Sequence, residues 1–203
     1  MTRIGSAKLV LASHNVGKLE EIRLLLAPYP VAVISAVELG LDVPAETEAT
    51  FAGNALLKAH AAAKATGLPA LSDDSGIEVE ALRGAPGVHT ADWAETGDGT
   101  RDFPMAMAKV WDRLEAAKAP FPRRAKFVCV LAMAWPDGRE EVFNGQVEGQ
   151  IVWPMRGEIG HGFDPIFRPE GYTKTFGEME RAEKSAISHR AVAFKKLVKA
   201  MFN

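Results

Sequence analysis

The chain has little cysteine and little excess charge, and each shortage excludes a class of protein. Its 203 residues include one cysteine, so no intramolecular disulfide can form, and we expect Cys129 to be a buried, reduced thiol. The formal charge of -2 argues against a general binder of nucleic acid, because such proteins display a strongly basic surface. Any phosphate chemistry must therefore be confined to a local site.

Long apolar runs are also missing. No stretch approaches the ~18 apolar residues that a membrane helix needs, and we find no signal-peptide cleavage pattern, internal repeat or low-complexity segment. These absences predict a soluble, unprocessed protein of the reducing cytoplasm that binds neither membrane nor nucleic acid. With 47% hydrophobic residues, the chain can bury a substantial core as one large domain or two closely joined lobes.

Apolar periodicity predicts strands and helices that interleave at both ends of the chain around a central hairpin. The predicted strands are residues 8–12, 31–36, 69–71, 77–81, 126–135, 139–147 and 150–153. The predicted helices run from Leu19 to Pro28, from Thr50 to Thr66, from Phe103 to Lys118 and from about Arg181 to the end of the chain. This order predicts an α/β fold with a mixed sheet flanked by helices.

A short polar loop joins the first predicted strand to the first predicted helix, as a phosphate-binding loop would require. Its sequence is Ser13-His14-Asn15-Val16-Gly17-Lys18. It is not a Walker A loop, because Leu19 follows the lysine where a magnesium-binding hydroxyl would be needed. The alternative is an ordinary helix cap by Ser13 or Asn15.

A second cationic group lies at the predicted start of the last helix, where Lys184, His189 and Arg190 occur within one short run. Unpaired backbone N–H groups and the helix dipole make such a helix start suitable for an anion. A solvated basic helix end is the alternative.

Two acidic segments could bind a divalent cation. Asp73 and Asp74 are predicted to lie on a tight turn after a strand, where two carboxylates could hold Mg²⁺ while one activates a water. Glu46, in an earlier acidic loop, could add an oxygen ligand. The alternatives are an exposed Asx turn and a solvated loop acid, and Lys58 alone would count as a surface lysine.

The segment Gly160 to Pro165 combines flexible glycines with two flat rings and a carboxylate. A planar base could stack on the rings of His161 and Phe163 while Asp164 accepts a hydrogen bond from the edge of the base. The alternative is a plain turn that precedes a strand.

Six blocks in a fixed order give the chain a resemblance to the inosine triphosphate pyrophosphatase family, in particular the bacterial dITP/XTP pyrophosphatases. The resemblance spans nearly the whole length. The blocks are Ser13 to Lys18, Thr50-Phe51 with Asn54-Ala55 and Lys58-Ala59, Asp73 to Gly76, Gly84 to Gly87, Phe163 to Phe167, and Glu183 to Arg190.

The resemblance implies a single domain over residues 1–203, with two closely joined lobes and an active site in the cleft between them. It implies hydrolysis of dITP, ITP, XTP and dXTP to the monophosphate and pyrophosphate, by attack of water at the α-phosphorus with Mg²⁺ as cofactor. Such an enzyme removes these nucleotides before they enter nucleic acid. A cytoplasmic homodimer is the implied assembly.

The resemblance also implies roles for single residues. It assigns the general base to Asp74 and the metal ligands to Glu46 and Asp74, whereas physical reasoning alone does not choose between Asp73 and Asp74. The residues implied to surround the triphosphate are Ser13, His14, Asn15, Val16, Gly17, Lys18, Lys58, Ser75 and Lys184. Those implied to surround the nucleoside are His161, Gly162, Phe163, Asp164, His189 and Arg190.

At three positions the chain departs from the family's pattern. His161 replaces a usual phenylalanine, Phe163 a usual tyrosine or tryptophan, and Asp92 a common arginine. The reaction type is therefore better determined than the base preference. Two other readings stay open: a pyrophosphatase for other modified or pyrimidine nucleotides, and a nucleotide-binding regulator that does not hydrolyse its ligand. The intact pair of aspartates argues against the regulator.

Overall fold

The computed structural model describes residues 8–42 and 44–202, and the side chain of Val16 lies outside the described part. Within these residues, six strands form one mixed sheet in the order β2-β1-β3-β4-β5-β6. The strands are β1 (Lys8–Leu11), β2 (Ala32–Ser35), β3 (Ala70–Val79), β4 (Arg124–Ala134), β5 (Glu140–Ile151) and β6 (Phe167–Pro169). β1 pairs in parallel with β2 and β3, and β6 pairs antiparallel with β5.

Five α-helices lie in the described part of the chain, together with short 3₁₀ turns. The helices are α1 (Val16–Leu26), α2 (Phe51–Thr66), α3 (Phe103–Ala116), α4 (Arg181–Ile187) and α5 (His189–Met201). The prediction of an α/β fold with a mixed sheet is thereby confirmed. None of these helices is long and apolar enough to cross a membrane, as far as the described residues extend.

Local signals explain why α2 begins and ends where it does. The Thr50 hydroxyl accepts a hydrogen bond from the Gly53 N–H at 3.0 Å and caps the first turn. Gly67 ends the helix in the left-handed conformation, with a φ of 68°, which glycine adopts without steric cost. The alanines between them favour helix and present a narrow face that packs closely.

The chain folds as two compact units, each with its own hydrophobic core. Unit 1 consists of the stretch up to Asp74, Cys129–Gly145 and the stretch from Val192, and unit 2 consists of Ser75–Val128 and Gln146–Ala191. The core of unit 1 includes Leu9, Leu11, Ile22, Leu71, Cys129, Leu131, Met133 and Leu197. The core of unit 2 includes Ile77, Val110, Leu114, Phe127, Ile166, Phe167 and Phe176. Cys129 is a buried free thiol, as predicted.

The predicted turn at residues 73–76 is wrong, because β3 continues without interruption for ten residues. Aspartate, serine and glycine favour turns in isolation, but buried contacts along this segment override that preference. The Ser72 hydroxyl donates to the carbonyl of Ala55, and the Ile77 N–H donates to the Thr90 hydroxyl at 2.9 Å. Asp73 and Asp74 therefore lie within a strand. The separate strand predicted at 150–153 is also wrong, since β5 already extends to Ile151.

The single last helix predicted from Arg181 onward is instead two helices. Ser188, with φ of −63° and ψ of 154°, is extended and interrupts the helical backbone. Its hydroxyl then accepts a hydrogen bond from the Ala191 N–H at 3.2 Å, which caps the start of α5. Lys184 consequently belongs to α4, whereas His189 and Arg190 form the first turn of α5.

Candidate active site

Unit 1 brings together five charged side chains that we call the carboxylate cluster: Lys18, Glu46, Lys58, Asp73 and Asp74. Lys58 Nζ lies 2.5 Å from Glu46 Oε1 and 3.8 Å from Asp74 Oδ1. Lys18 Nζ lies 2.8 Å from Asp73 Oδ2. Lys58 is only 9% exposed, so its ammonium group is held in place by these acids rather than by bulk water.

The strand geometry of β3 separates the two neighbouring aspartates. Successive side chains of a strand point to opposite faces of the sheet, so Asp73 and Asp74 leave β3 in different directions. Asp73 pairs with Lys18 from α1, and Asp74 faces Lys58 from α2. The two aspartates therefore have different lysine neighbours, and their separate roles stay a prediction.

Burial raises the pKa of Asp74 to about 6, because a charged carboxylate is less well solvated inside the protein. The positive charges of Lys58 and Lys18 oppose this shift, as does a hydrogen bond from Asn54, whereas the negative charge of Glu46 adds to it. A carboxylate with a pKa of about 6 is a suitable general base near neutral pH, because it is both ionised and sufficiently basic.

The carboxylate cluster also fits Mg²⁺. Glu46 and Asp74 approach the same Lys58 ammonium group, so their oxygens converge on one region. No group of three or more histidine, cysteine, aspartate or glutamate side chains that could hold a metal occurs in residues 8–42 and 44–202. Two carboxylates nevertheless suffice for Mg²⁺, which commonly takes one or two from the protein and completes its shell with water and substrate phosphates.

The loop before α1 is a helix cap, as one of the two alternatives predicted. Asn15 Oδ1 accepts from the Lys18 N–H at 3.1 Å, and Ser13 Oγ accepts from the Asn15 N–H at 3.3 Å. His14 Nε2 lies 2.9 Å from the carbonyl oxygen of Leu41. The cap directs Lys18 toward Asp73, while the phosphate-binding role of residues 13–18 stays a prediction.

A second charged group lies in unit 2, around Asp164. Lys184 forms an ion pair with Asp164 Oδ2, which also accepts a hydrogen bond from the His161 N–H at 2.6 Å. Asp164 is 2% exposed, and Gly160 permits this packing because a Cβ there would lie 2.2 Å from Asp164 Oδ2. The carboxylate therefore fixes a cation and a turn.

The expectation that two rings of this turn stack on a base is wrong for Phe163. Its side chain is 1% exposed and packs in the core of unit 2, in an edge-to-face contact with Phe103 at 6.1 Å between ring centroids. His161 is exposed, so its ring is the one of the two that can face a ligand. An aromatic residue beside glycines gives the same sequence signal whether its ring is buried or exposed.

The remaining predicted site residues are His189 and Arg190 on α5, expected around the nucleoside, and Ser75 on β3, expected around the triphosphate. The ring of His189 is buried and stacks on Phe127, with 4.9 Å between centroids and 11° between planes. Arg190, the next residue of α5, is half-buried. Ser75 is half-buried on β3 directly after Asp74. Their roles toward substrate stay predictions.

Sequence reasoning assigned no role to Asn54, a buried residue that contacts two parts of the cluster. Its Oδ1 accepts from the Glu48 N–H at 2.9 Å, and its side chain hydrogen-bonds to Asp74. A signal was available, because Asn54 and Lys58 are spaced by four residues on the alanine face of α2, where only apolar residues would be expected.

Comparisons with known proteins identify the family. The profile of the Ham1 family matches residues 9–200. A dITP/XTP pyrophosphatase of Ruegeria pomeroyi is 62% identical over 194 residues, covering 96% of this chain and 95% of that protein. One of Agrobacterium fabrum is 55% identical over 208 residues, covering 98% and 97%. A HAM1 protein from Coxiella burnetii has a similar structure, with a TM-score of 0.89 at 38% identity over 96% of this chain and 98% of that one. The chain therefore belongs to the Ham1 family.

Proposed function

We propose that this protein hydrolyses dITP, ITP, XTP and dXTP to the monophosphate and pyrophosphate, and so keeps these purines out of nucleic acid. The observation that carries the proposal is Asp74, a buried carboxylate with a raised pKa of about 6 beside Lys58 and Glu46. Relatives that are 62% and 55% identical bear the name dITP/XTP pyrophosphatase, which supports the same activity here.

In this proposal Asp74 removes a proton from the water that attacks the α-phosphorus. The new bond joins the water oxygen to the α-phosphorus, the bond from the α-phosphorus to the bridging oxygen breaks, and pyrophosphate leaves. Lys18 and Lys58 offset the negative charge of the triphosphate, and their present partners Asp73 and Glu46 keep them oriented before substrate binds. Bound by Glu46 and Asp74, Mg²⁺ would offset charge on the triphosphate and on the departing pyrophosphate.

We assign the nucleoside to the residues of unit 2. Arg190 would donate to the 6-oxo group of hypoxanthine or xanthine, whereas the amino group of adenine would leave that donor without an acceptor. His161 offers an exposed ring for stacking. Lys184, held by Asp164, would supply a positive charge to the triphosphate rather than to the nucleoside. Because the ring of Phe163 lies in the core, its contribution is to support the turn.

Two further parts of the proposal rest on the resemblance alone. They are a homodimeric assembly and a location in the cytoplasm. Sedimentation of the purified protein at several concentrations would test the first, since a homodimer would sediment with twice the mass of the 203-residue chain.

A substrate panel tests the reaction. The protein is incubated with Mg²⁺ and dITP, XTP, ITP, dATP, dGTP or dUTP, and the release of pyrophosphate is measured for each. We expect dITP, ITP and XTP to be hydrolysed much faster than dATP. A preference for dUTP would favour an enzyme for other nucleotides. Tight binding of dITP without pyrophosphate release would favour a regulator.

A further inference from the structure

The acidic loop that carries Glu46 and Glu48 rests on the first turn of α2 at two adjacent positions, Gly53 and Asn54. One contact is polar and the other is steric. The sequence patterns predict no role in binding or catalysis for either residue. Both lie within unit 1, as do the loop and Asp74.

The polar contact joins the loop to the general base through one side chain. Asn54 is 2% exposed, and its carboxamide has both a donor and an acceptor to satisfy. Its Oδ1 accepts from the Glu48 N–H at 2.9 Å, and its side chain also hydrogen-bonds to Asp74. A displacement of the loop would therefore disturb the Asn54 side chain, which also hydrogen-bonds to Asp74.

The steric contact requires the absence of a side chain. A Cβ added at Gly53 would lie 2.6 Å from Glu48 Cβ and 2.9 Å from Glu48 Cγ. Real Cβ atoms do not approach other carbons that closely, so an alanine at this position would push the loop away from α2. The helix backbone itself would tolerate the alanine, because alanine favours helix more than glycine does.

We propose that Gly53 and Asn54 are positioning residues that hold the acidic loop against Asp74, so that Glu46 and Asp74 stand ready for Mg²⁺ before the substrate arrives. This inference rests on the proposed function, because it takes Glu46 and Asp74 as the metal ligands. The side chain of Glu46 is 42% exposed, and its neighbours from Ala45 to Thr50 are exposed as well. Without the two contacts, Mg²⁺ binding would have to order this loop. The free energy spent on ordering the loop would lower the affinity for Mg²⁺.

Three variants test the proposal. Asn54→Leu keeps a similar side-chain volume and removes the hydrogen bonds to the Glu48 N–H and to Asp74. Gly53→Ala adds one methyl group and deletes no hydrogen-bonding group. The control is Thr66→Val, which deletes a hydroxyl bonded at 2.7 Å to the carbonyl of Ala62 in the last turn of the same helix. For each, Mg²⁺ binding to the nucleotide-free protein is measured by calorimetry, together with thermal stability and the kinetics of dITP hydrolysis.

We expect Asn54→Leu and Gly53→Ala to weaken Mg²⁺ binding by about 10- to 100-fold, the range typical of residues that orient metal ligands. Gly53→Ala should lower the melting temperature less than Asn54→Leu does, because alanine favours helix more than glycine and no buried polar group is deleted. The Mg²⁺ concentration needed for half-maximal rate should rise more than the KM for dITP measured at saturating Mg²⁺. If the two residues had a purely structural role, the variants would lower the melting temperature. The Mg²⁺ concentration for half-maximal rate would then not rise relative to the KM for dITP. Thr66→Val should bind Mg²⁺ like the wild type.

Equal Mg²⁺ affinity in the wild type and in Gly53→Ala would overturn the inference, even if Asn54→Leu failed to fold. The proposed function fails differently. A wild-type protein that neither binds Mg²⁺ nor releases pyrophosphate from dITP would overturn the proposed function, and the positioning role with it.

Discussion

The two units hold a buried aspartate in different ways. In unit 2, Asp164 accepts from both Lys184 and the His161 N–H, so this carboxylate holds a cation and a turn in place. In unit 1, Lys58 lies closer to Glu46 than to Asp74, at 2.5 Å against 3.8 Å, and burial raises the pKa of Asp74 to about 6. Two buried aspartates can thus differ in surroundings: Asp164 has two close donors, whereas Asp74 lies farther from its lysine and has a raised pKa.

The largest effect should come from Asp74→Asn, which keeps the shape of the side chain and removes its basicity. General bases contribute about 10²- to 10⁴-fold to rate, and Asp74 is also a proposed metal ligand, so we expect kcat for dITP to fall by at least ~10³-fold. Circular dichroism should show an unchanged fold. Retained activity would remove Asp74 from the mechanism and cancel the contrast with Asp164.

Lys58→Met sharpens the comparison by removing the cation that faces Asp74. We expect kcat/KM to fall by about 10²-fold, because the triphosphate loses a positive charge in a partly buried site. The positive charge of Lys58 lowers the pKa of Asp74, so its loss should move the acidic limb of the pH–rate profile to higher pH. Lys64→Met, at an exposed position of the same helix, is the matched control. An unshifted acidic limb would contradict the role of Lys58.

The pH dependence of stability gives a test without substrate. The folded-state pKa of Asp74, about 6, exceeds its ordinary value of 3.8, so the folded protein binds more protons than the unfolded chain between these values. The free energy of unfolding should therefore fall as pH rises from about 4 to about 6, by up to ~3 kcal/mol. Measured in metal-free buffer, the unfolding free energy of Asp74→Asn should not show this decrease between about pH 4 and about pH 6. If the difference in unfolding free energy between the wild type and Asp74→Asn did not change with pH, that result would contradict the raised pKa of Asp74.

Lys184→Ala should have the smallest effect, because it removes one charge from binding and none from the proton transfer. We expect the KM for dITP to rise by about tenfold, equivalent to ~1.4 kcal/mol, while kcat changes little. The variant leaves Asp164 without its cation, so the double variant Lys184→Ala with Asp164→Asn separates lost binding from lost stability. Lys174→Ala, an exposed lysine paired with Glu183, is the control. An unchanged KM would exclude Lys184 from binding.

Some parts of the fold follow from local signals, and others do not. Thr50, an alanine-rich segment and Gly67 predicted α2 nearly to the residue, because cap, propensity and stop signal agree. In β3 the turn-favouring residues Asp73 to Gly76 predicted the opposite of what is observed, since their partners come from distant segments. The break at Ser188 also escaped prediction, because serine is compatible with both a helix interior and a helix cap.

The candidate site shows the same division. The residue types that suit Mg²⁺ and phosphate were recognisable in the sequence, and the family resemblance supplied their roles. Which lysine pairs with which aspartate was not predictable, because β3 sends Asp73 and Asp74 to opposite faces. The burial of the Phe163 ring and the contacts of Asn54 likewise depend on tertiary packing.

One isotope experiment tests the central claim most directly, that water activated beside Asp74 attacks the α-phosphorus. The protein hydrolyses dITP with Mg²⁺ in ¹⁸O-labelled water, and mass spectrometry locates the label in the products. We predict one labelled oxygen in the monophosphate and none in the pyrophosphate. Label in the pyrophosphate would place the attack at the β-phosphorus and contradict the mechanism proposed for the carboxylate cluster.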